Sequence, residues 1–141
     1  MTTLRLSLPL PPGVNNQYVT VGKRRVLSAD AKAFRRNVAA IVRPMLADDR
    51  ISDDWLAALR EQPLAVDLVF YFETPFKRDL DGGLKITLDA LGDLLGLDDR
   101  YVVSLTLEKR IDPLRPRVEL ELGPAPDWQF DQQYRVLSAE C

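Results

Sequence analysis

Apolar residues fall at every second position from Leu4 to Leu10, where Leu4, Leu6, Leu8 and Leu10 are separated by Arg5, Ser7 and Pro9. A period of two predicts a strand with one buried face. Pro11-Pro12-Gly13 ends it, and Asn15-Asn16 continue a polar turn. Val19, Val21 and Val26 then surround Gly22-Lys23-Arg24-Arg25, which reads as an irregular strand or a hairpin arm. The spacing changes after Ser28. Phe34, Val38, Ile41, Val42 and Met45 recur at three- and four-residue steps and predict an amphipathic helix from about Ala29 to Leu46. Ser28 suits its N-cap and Asp30 its first turn, where a negative charge favours the helix dipole. Pro44 marks a kink or the end of that helix.

A short connecting helix is expected within Asp48 to Gln62, around Trp55, Leu56 and Leu59. Leu64 to Glu73 is the clearest strand. Leu64, Val66, Leu68, Phe70 and Phe72 share one face, and Ala65, Val69 and Tyr71 on the other predict a central strand partly covered on both sides. A helix follows Gly82-Gly83, with Leu84, Leu88, Leu91 and Leu95 along one face and Gly96 at its end. Tyr101 to Arg110 and Arg117 to Leu122 alternate again, and Asp112-Pro113 between them predicts an antiparallel hairpin. Pro124-Ala125-Pro126 reads as a linker. The tail beyond it carries Trp128, Phe130, Tyr134, Val136 and Leu137, apolar enough to dock on the core or on a second subunit.

With 141 residues, 46% of them apolar and 28% charged, the chain is expected to form one soluble domain. It shows neither a membrane-length apolar run nor a signal-peptide pattern, so a cytoplasmic protein is expected. The lone Cys141 permits no internal disulfide, in keeping with a reducing compartment. The net charge of −2 argues against a uniformly basic nucleic-acid binder, but the charge is uneven. Residues 1–50 hold nine Lys/Arg against three Asp, while the remainder holds ten against eighteen acids. A basic first third beside an acidic cluster is what a metal-dependent phosphodiester enzyme needs, though a solvated surface with segregated charge looks the same.

The absence of histidine excludes imidazole chemistry, and a single cysteine excludes a thiolate zinc site within one chain. Oxygen chemistry remains. It concentrates in Lys77-Arg78-Asp79-Leu80-Asp81-Gly82-Gly83-Leu84-Lys85, with Leu97-Asp98-Asp99-Arg100 downstream. In an extended loop Asp79 and Asp81 would project to one side and share a cation. Mg2+ suits them, since it takes one or two carboxylates and keeps several waters. Asp98 or Asp99 would close the site from the far end of the helix. Lys85, one turn beyond Asp81, would stabilise charge on a phosphate. The plainer reading is also open: Asp caps helix starts, Asp-Asp makes turns, and Lys85 pairs with Asp81 or Asp89 at the surface. Gly22-Lys23-Arg24-Arg25 is likewise either a phosphate grip or a solvated hairpin tip.

The run Arg78-Asp79-Leu80-Asp81-Gly82-Gly83-Leu84-Lys85-Ile86-Thr87-Leu88-Asp89-Ala90-Leu91, followed by Leu97-Asp98-Asp99, resembles the RusA family of Holliday junction resolvases. Leu8-Pro9-Leu10-Pro11-Pro12, Asn15-Asn16, and Val26-Leu27-Ser28-Ala29 leading to Phe34-Arg35 are similar to that family too. The resemblance spans roughly residues 4–122. It implies an α+β fold, a small mixed β-sheet with two main α-helices packed on it, in agreement with the elements read above. The family-like domain would be 1–123 and the tail 124–141. The resemblance also implies a homodimeric, Mg2+-dependent endonuclease of DNA recombination and repair that cuts four-way junctions by paired nicks, with Mn2+ as an alternative metal. By position, Asp79, Asp81 and Asp99 would hold the metal and act in catalysis with Lys85. The helix after Gly83 would help form the dimer. Lys23, Arg24, Arg25, Arg35, Arg36, Lys77 and Arg78 are the DNA-binding candidates.

Gly82 departs from the family pattern, which has Asn there. Spacing leaves Asp98 and Asp99 as alternatives for the third carboxylate. Two rival readings stand beside the resolvase: a branched-DNA-binding protein without catalysis, and a Mg2+-dependent hydrolase of a small phosphorylated molecule.

Overall fold

In chain order the protein forms β1 (Leu4–Pro9), β2 (Tyr18–Val21), β3 (Arg24–Leu27), α1 (Ala29–Ala47), α2 (Asp53–Leu59), β4 (Leu64–Phe72), α3 (Leu84–Leu95), β5 (Val102–Ile111) and β6 (Arg117–Pro124). This is a computed structural model, and it describes residues 2–125. The apolar segment around Trp128, Phe130, Tyr134, Val136 and Leu137 therefore lies outside the described residues. Four strands make one sheet in the order β1–β6–β4–β5, and β2 and β3 pair separately as a hairpin. The α+β architecture and mixed sheet agree with the sequence reading.

β4 is the central strand, as its pattern predicts. It pairs along its length with β5 in parallel and with β6 antiparallel. Leu64, Val66, Leu68, Phe70 and Phe72 are each at most 2% exposed. They join Leu4, Leu6 and Leu8 of β1, Val118, Leu120 and Leu122 of β6, and apolar residues of all three helices in one core. On the opposite face Ala65, Val69 and Tyr71 are half-buried. α1 packs against β1 and α3. The Ser28 side chain caps α1 by accepting from the Ala31 amide at 3.0 Å.

The expected β5–β6 hairpin does not form, because β4 lies between those strands. α3 carries the chain from the end of β4 back to its start, so β5 must run parallel to β4 and occupies one edge. The chain then turns over the end of β4, where the Asp112 amide donates to the Phe72 carbonyl at 2.8 Å. β6 enters the remaining space between β4 and β1. Arg117 secures the crossing: its guanidinium bonds Asp112 at 2.8 Å and Glu119 at 3.0 Å and lies 3.8 Å over the Tyr71 ring.

Four smaller expectations change. On α1, Ile41 is 36% exposed, and Ala31 and Ala39 are buried beside Phe34, Val38 and Val42. Pro44 lies inside α1, which continues to Ala47. On α3 the buried stripe is Ile86, Thr87, Ala90, Leu91 and Leu95, with Leu84 and Leu88 only half-buried. Thr87 tolerates burial because its hydroxyl donates to the Gly83 carbonyl at 2.7 Å. Pro124 is the last residue of β6, and Ala125 is buried, its amide bonded to Pro63. The described part of the expected linker is thus docked.

Candidate active site

The motif loop leaves the end of β4 and enters α3 through successive turns, closed by Gly82 N to Asp79 O at 3.3 Å and Leu84 N to Asp81 O at 3.1 Å. It is not extended, so the strand-alternation argument for placing Asp79 and Asp81 on one side does not apply. Leu80 between them packs against the core, while both aspartates are exposed. Gly83 comes close to the first turn of the chain: a Cβ there would lie 2.3 Å from Pro11 Cγ. Only glycine lets these two segments approach so closely.

Three long side chains hold the loop, Gln17 and Lys109 from elsewhere and Arg78 from within it. Gln17, 5% exposed, donates through Nε2 to the carbonyls of Pro12 at 3.0 Å and Gly82 at 2.7 Å. Arg78 donates to the Pro11 carbonyl at 2.6 Å and rests 5.1 Å over the Phe72 ring. Burial pushes its pKa down, though a guanidinium stays charged in any ordinary buffer. Lys109 of β5 donates to the carbonyls of Pro75 at 3.0 Å and Arg78 at 2.8 Å. Sequence reasoning missed the roles of Gln17 and Lys109, because neither stands in a motif or an apolar pattern.

At the head of α3, Lys85 lies between two carboxylates, its Nζ 3.4 Å from Asp89 and 3.9 Å from Asp99. Asp89 and then Asp99 raise its pKa by favouring the charged form. Asp98 is engaged elsewhere: it accepts from the Arg100 amide at 2.9 Å and guanidinium at 2.8 Å, and the Arg100 side chain holds its pKa down. Of the two downstream aspartates, Asp99 is therefore the one on the Lys85 side. Among the described residues no ion pair engages Asp79 or Asp81, and no three acidic side chains form a ready-made metal cage. The donor set still fits Mg2+ chemically, since exposed carboxylates with substrate phosphates and water are its usual ligands.

Asp79 opens into a cleft of about 420 Å³ between the 12–16 turn and the motif loop, shared with Asn15, Asn16, Asp30 and Lys77. Asp30 was legible only as a helix-start charge, a role that hid its place on this wall. The basic candidates divide by environment. Lys23, Arg24 and Arg25 are exposed on the β2–β3 hairpin, Arg36 is exposed on α1, and Lys77 is exposed at the cleft. Arg35 instead pairs with Asp93 and ties α1 to α3, just as Arg78 is spent on the loop.

A family model described as Endodeoxyribonuclease RusA matches residues 9–123, a span that contains the whole motif loop, α3 and Asp98-Asp99. The chain belongs to the RusA family. The crossover junction endodeoxyribonuclease of Enterobacteria phage 82 is 29% identical over 123 residues, covering 86% of this chain and 95% of the phage protein. The protein of that name from Escherichia coli O139:H28 is 30% identical, covering 86% and 93%. The Shigella sonnei protein is 28% identical, covering 86% and 95%. The enzyme class implied by the resemblance, an endodeoxyribonuclease, therefore stands. In this RusA-family chain the backbone at Gly82 leaves room for a side chain. A Cβ at Gly82 would make only ordinary contacts, 3.6 Å from Asp79 O and 3.7 Å from Val14 N. No helix among the described residues is long and apolar enough to cross a membrane.

Proposed function

We propose that this protein resolves four-way DNA junctions as a homodimer, by Mg2+-dependent paired nicks on opposite strands, in recombination and repair. The observation that carries the reading is the head of α3: Lys85 beside Asp99, directly after the turns that present Asp79 and Asp81. Asp79, Asp81 and Asp99 would hold the metal. When bound, a divalent ion supplies a Lewis acid at the phosphoryl oxygens and makes water a better nucleophile at neutral pH. Mn2+ offers the same oxygen-ligand chemistry.

The residues of the chain do the rest. Lys85 keeps its positive charge because Asp89 and Asp99 flank it, and it is placed to stabilise negative charge that builds on the phosphate. Asp89 holds the ammonium from the next turn of α3, so Lys85 would keep a partner with Asp99 serving as a metal ligand. Lys23, Arg24, Arg25, Arg36 and Lys77 grip phosphates without reading sequence. Two-fold symmetry in the protein would match the two-fold arrangement of a junction and allow paired incision.

The non-catalytic alternative rested on Gly82. The loop there is held by its own backbone and by Gln17, which weakens that objection. The decisive test compares a labelled four-way junction with a matched linear duplex, each in Mg2+ and in EDTA. Symmetric, metal-dependent nicks in the junction alone are expected. Asp79→Asn is expected to lower the cutting rate by at least about 100-fold while junction affinity stays within about 2-fold, because the change removes a charge made useful only with metal and scissile phosphate. Unaltered cutting by Asp79→Asn would overturn the assignment. Loss of discrimination between junction and duplex would overturn the resolvase reading itself.

A further inference from the structure

The β2–β3 hairpin stands apart from the main sheet; β2 is exposed along its length, while Leu27 of β3 packs partly against the core. Its register sorts the side chains. Tyr18 faces Leu27 and Thr20 faces Arg25, so these four share one side; Val19, Val26, Val21 and Arg24 share the other. On the first side the Arg25 guanidinium lies 4.9 Å over the Tyr18 ring, and Tyr18 remains 41% exposed. The base of the hairpin is fixed in place by the Ser28 amide bonding the Gln17 carbonyl at 2.9 Å and by Gln17 bonding Gly82. That anchor sets Tyr18, the next residue, beside the turn that opens α3.

We propose that Tyr18, capped by Arg25, is a stacking platform for an unpaired base of the DNA strand entering the active site. The inference rests on the junction-cleaving reading and deepens it by naming the part of the substrate this face takes. Bases at a branch point lose stacking neighbours, and an aromatic ring restores one without regard to sequence, since every base has a π-face. The charge of the hairpin suits a nucleic acid: Arg25 lies over the ring, and Lys23 and Arg24 are exposed on the same hairpin. A cross-strand partner for stability alone does not require this exposure, because the hairpin is already closed at its base by the Ser28–Gln17 hydrogen bond. The platform therefore makes the hairpin selective for branched over continuous duplex, while Lys23 and Arg24 contribute phosphate contacts to both.

The test uses the full chain in EDTA with a four-way junction carrying 2-aminopurine at the branch point, next to a duplex with the same label. The wild-type protein is expected to quench the junction signal on binding and leave the duplex signal nearly unchanged. Tyr18→Phe keeps the ring and is expected to behave as wild type. Tyr18→Leu keeps an apolar side chain but removes the ring, and is expected to lose the quench and bind the junction about 10-fold more weakly, with duplex affinity unaltered. A Tyr18→Leu protein that quenches and binds like wild type overturns the platform while leaving the resolvase reading intact. A wild-type protein that binds the junction no better than the duplex overturns both.

Discussion

β4 and the loop that leaves its end are held by opposite means. Along β4 every core-facing side chain is buried among apolar neighbours from both flanking strands and the helices. From Glu73 to Gly83 the chain is held instead by Gln17, Arg78 and Lys109, through hydrogen bonds to its carbonyls and to Pro11 and Pro12. Apolar burial spreads stability over many contacts, so no single polar change reaches it. A loop secured by a few polar side chains can place charged groups in water, where a burial-driven segment would hide them. The price of that placement is sensitivity: one substitution can move the site without unfolding the scaffold.

The largest effect is expected in the core. Leu68, 1% exposed on β4, is far from the motif loop in register. Leu68→Ala is expected to lower the unfolding free energy by about 2–5 kcal/mol in urea titration, with cutting per folded molecule unchanged. A change in specific activity larger than about 2-fold would show that scaffold and loop are coupled after all.

Gln17→Ala strikes the loop from the other side. It leaves the carbonyls of Pro12 and Gly82 without their amide partner, and is expected to destabilise by about 1–2 kcal/mol. Its effect on the cutting rate is expected to be larger than its effect on stability would suggest, since both the hairpin and the Asp81 turn lose their common anchor. Equal activity to wild type under folding conditions would mean that the loop does not need that anchor.

The smallest effect is expected at Gly82. A Cβ there meets only ordinary contacts, so Gly82→Asn is expected to shift stability by no more than about 0.5 kcal/mol and to keep or raise the cutting rate. The neighbouring glycine is different, because Pro11 occupies the space a side chain at Gly83 would need. A destabilisation at Gly82 as large as that expected for Gln17→Ala would show that the loop is more tightly packed than its contacts imply.

Most elements were legible because their residues repeat with the period of the structure they form. β1, β4 and α1 follow directly from alternating or three-to-four spacing, and Ser28 and Gly96 mark ends by their capping chemistry. β5 and β6 were legible as strands but not as neighbours. Alternation says which face of a strand is buried and nothing about which strand lies beside it. The stripe on α3 was misplaced by about one position because Ala90 and Thr87 bury as well as leucine when space is short or a hydroxyl finds the backbone.

The site divides in the same way. The acidic motif, the lysine and the basic hairpin are present in the order of residues, and the family membership rests on that order. Residue types alone set the available chemistry: carboxylate and ammonium groups, no imidazole, and a glycine pair where the chain must bend. Tertiary structure decided the partnerships. It chose Asp99 over Asp98 for the Lys85 side, brought Asp30 to the same cleft as Asp79, and spent Arg35 and Arg78 on structure. The reason is physical: the identity of a side chain sets what it can bond, but only folding brings residues such as Gln17 and Gly82 within 2.7 Å of each other.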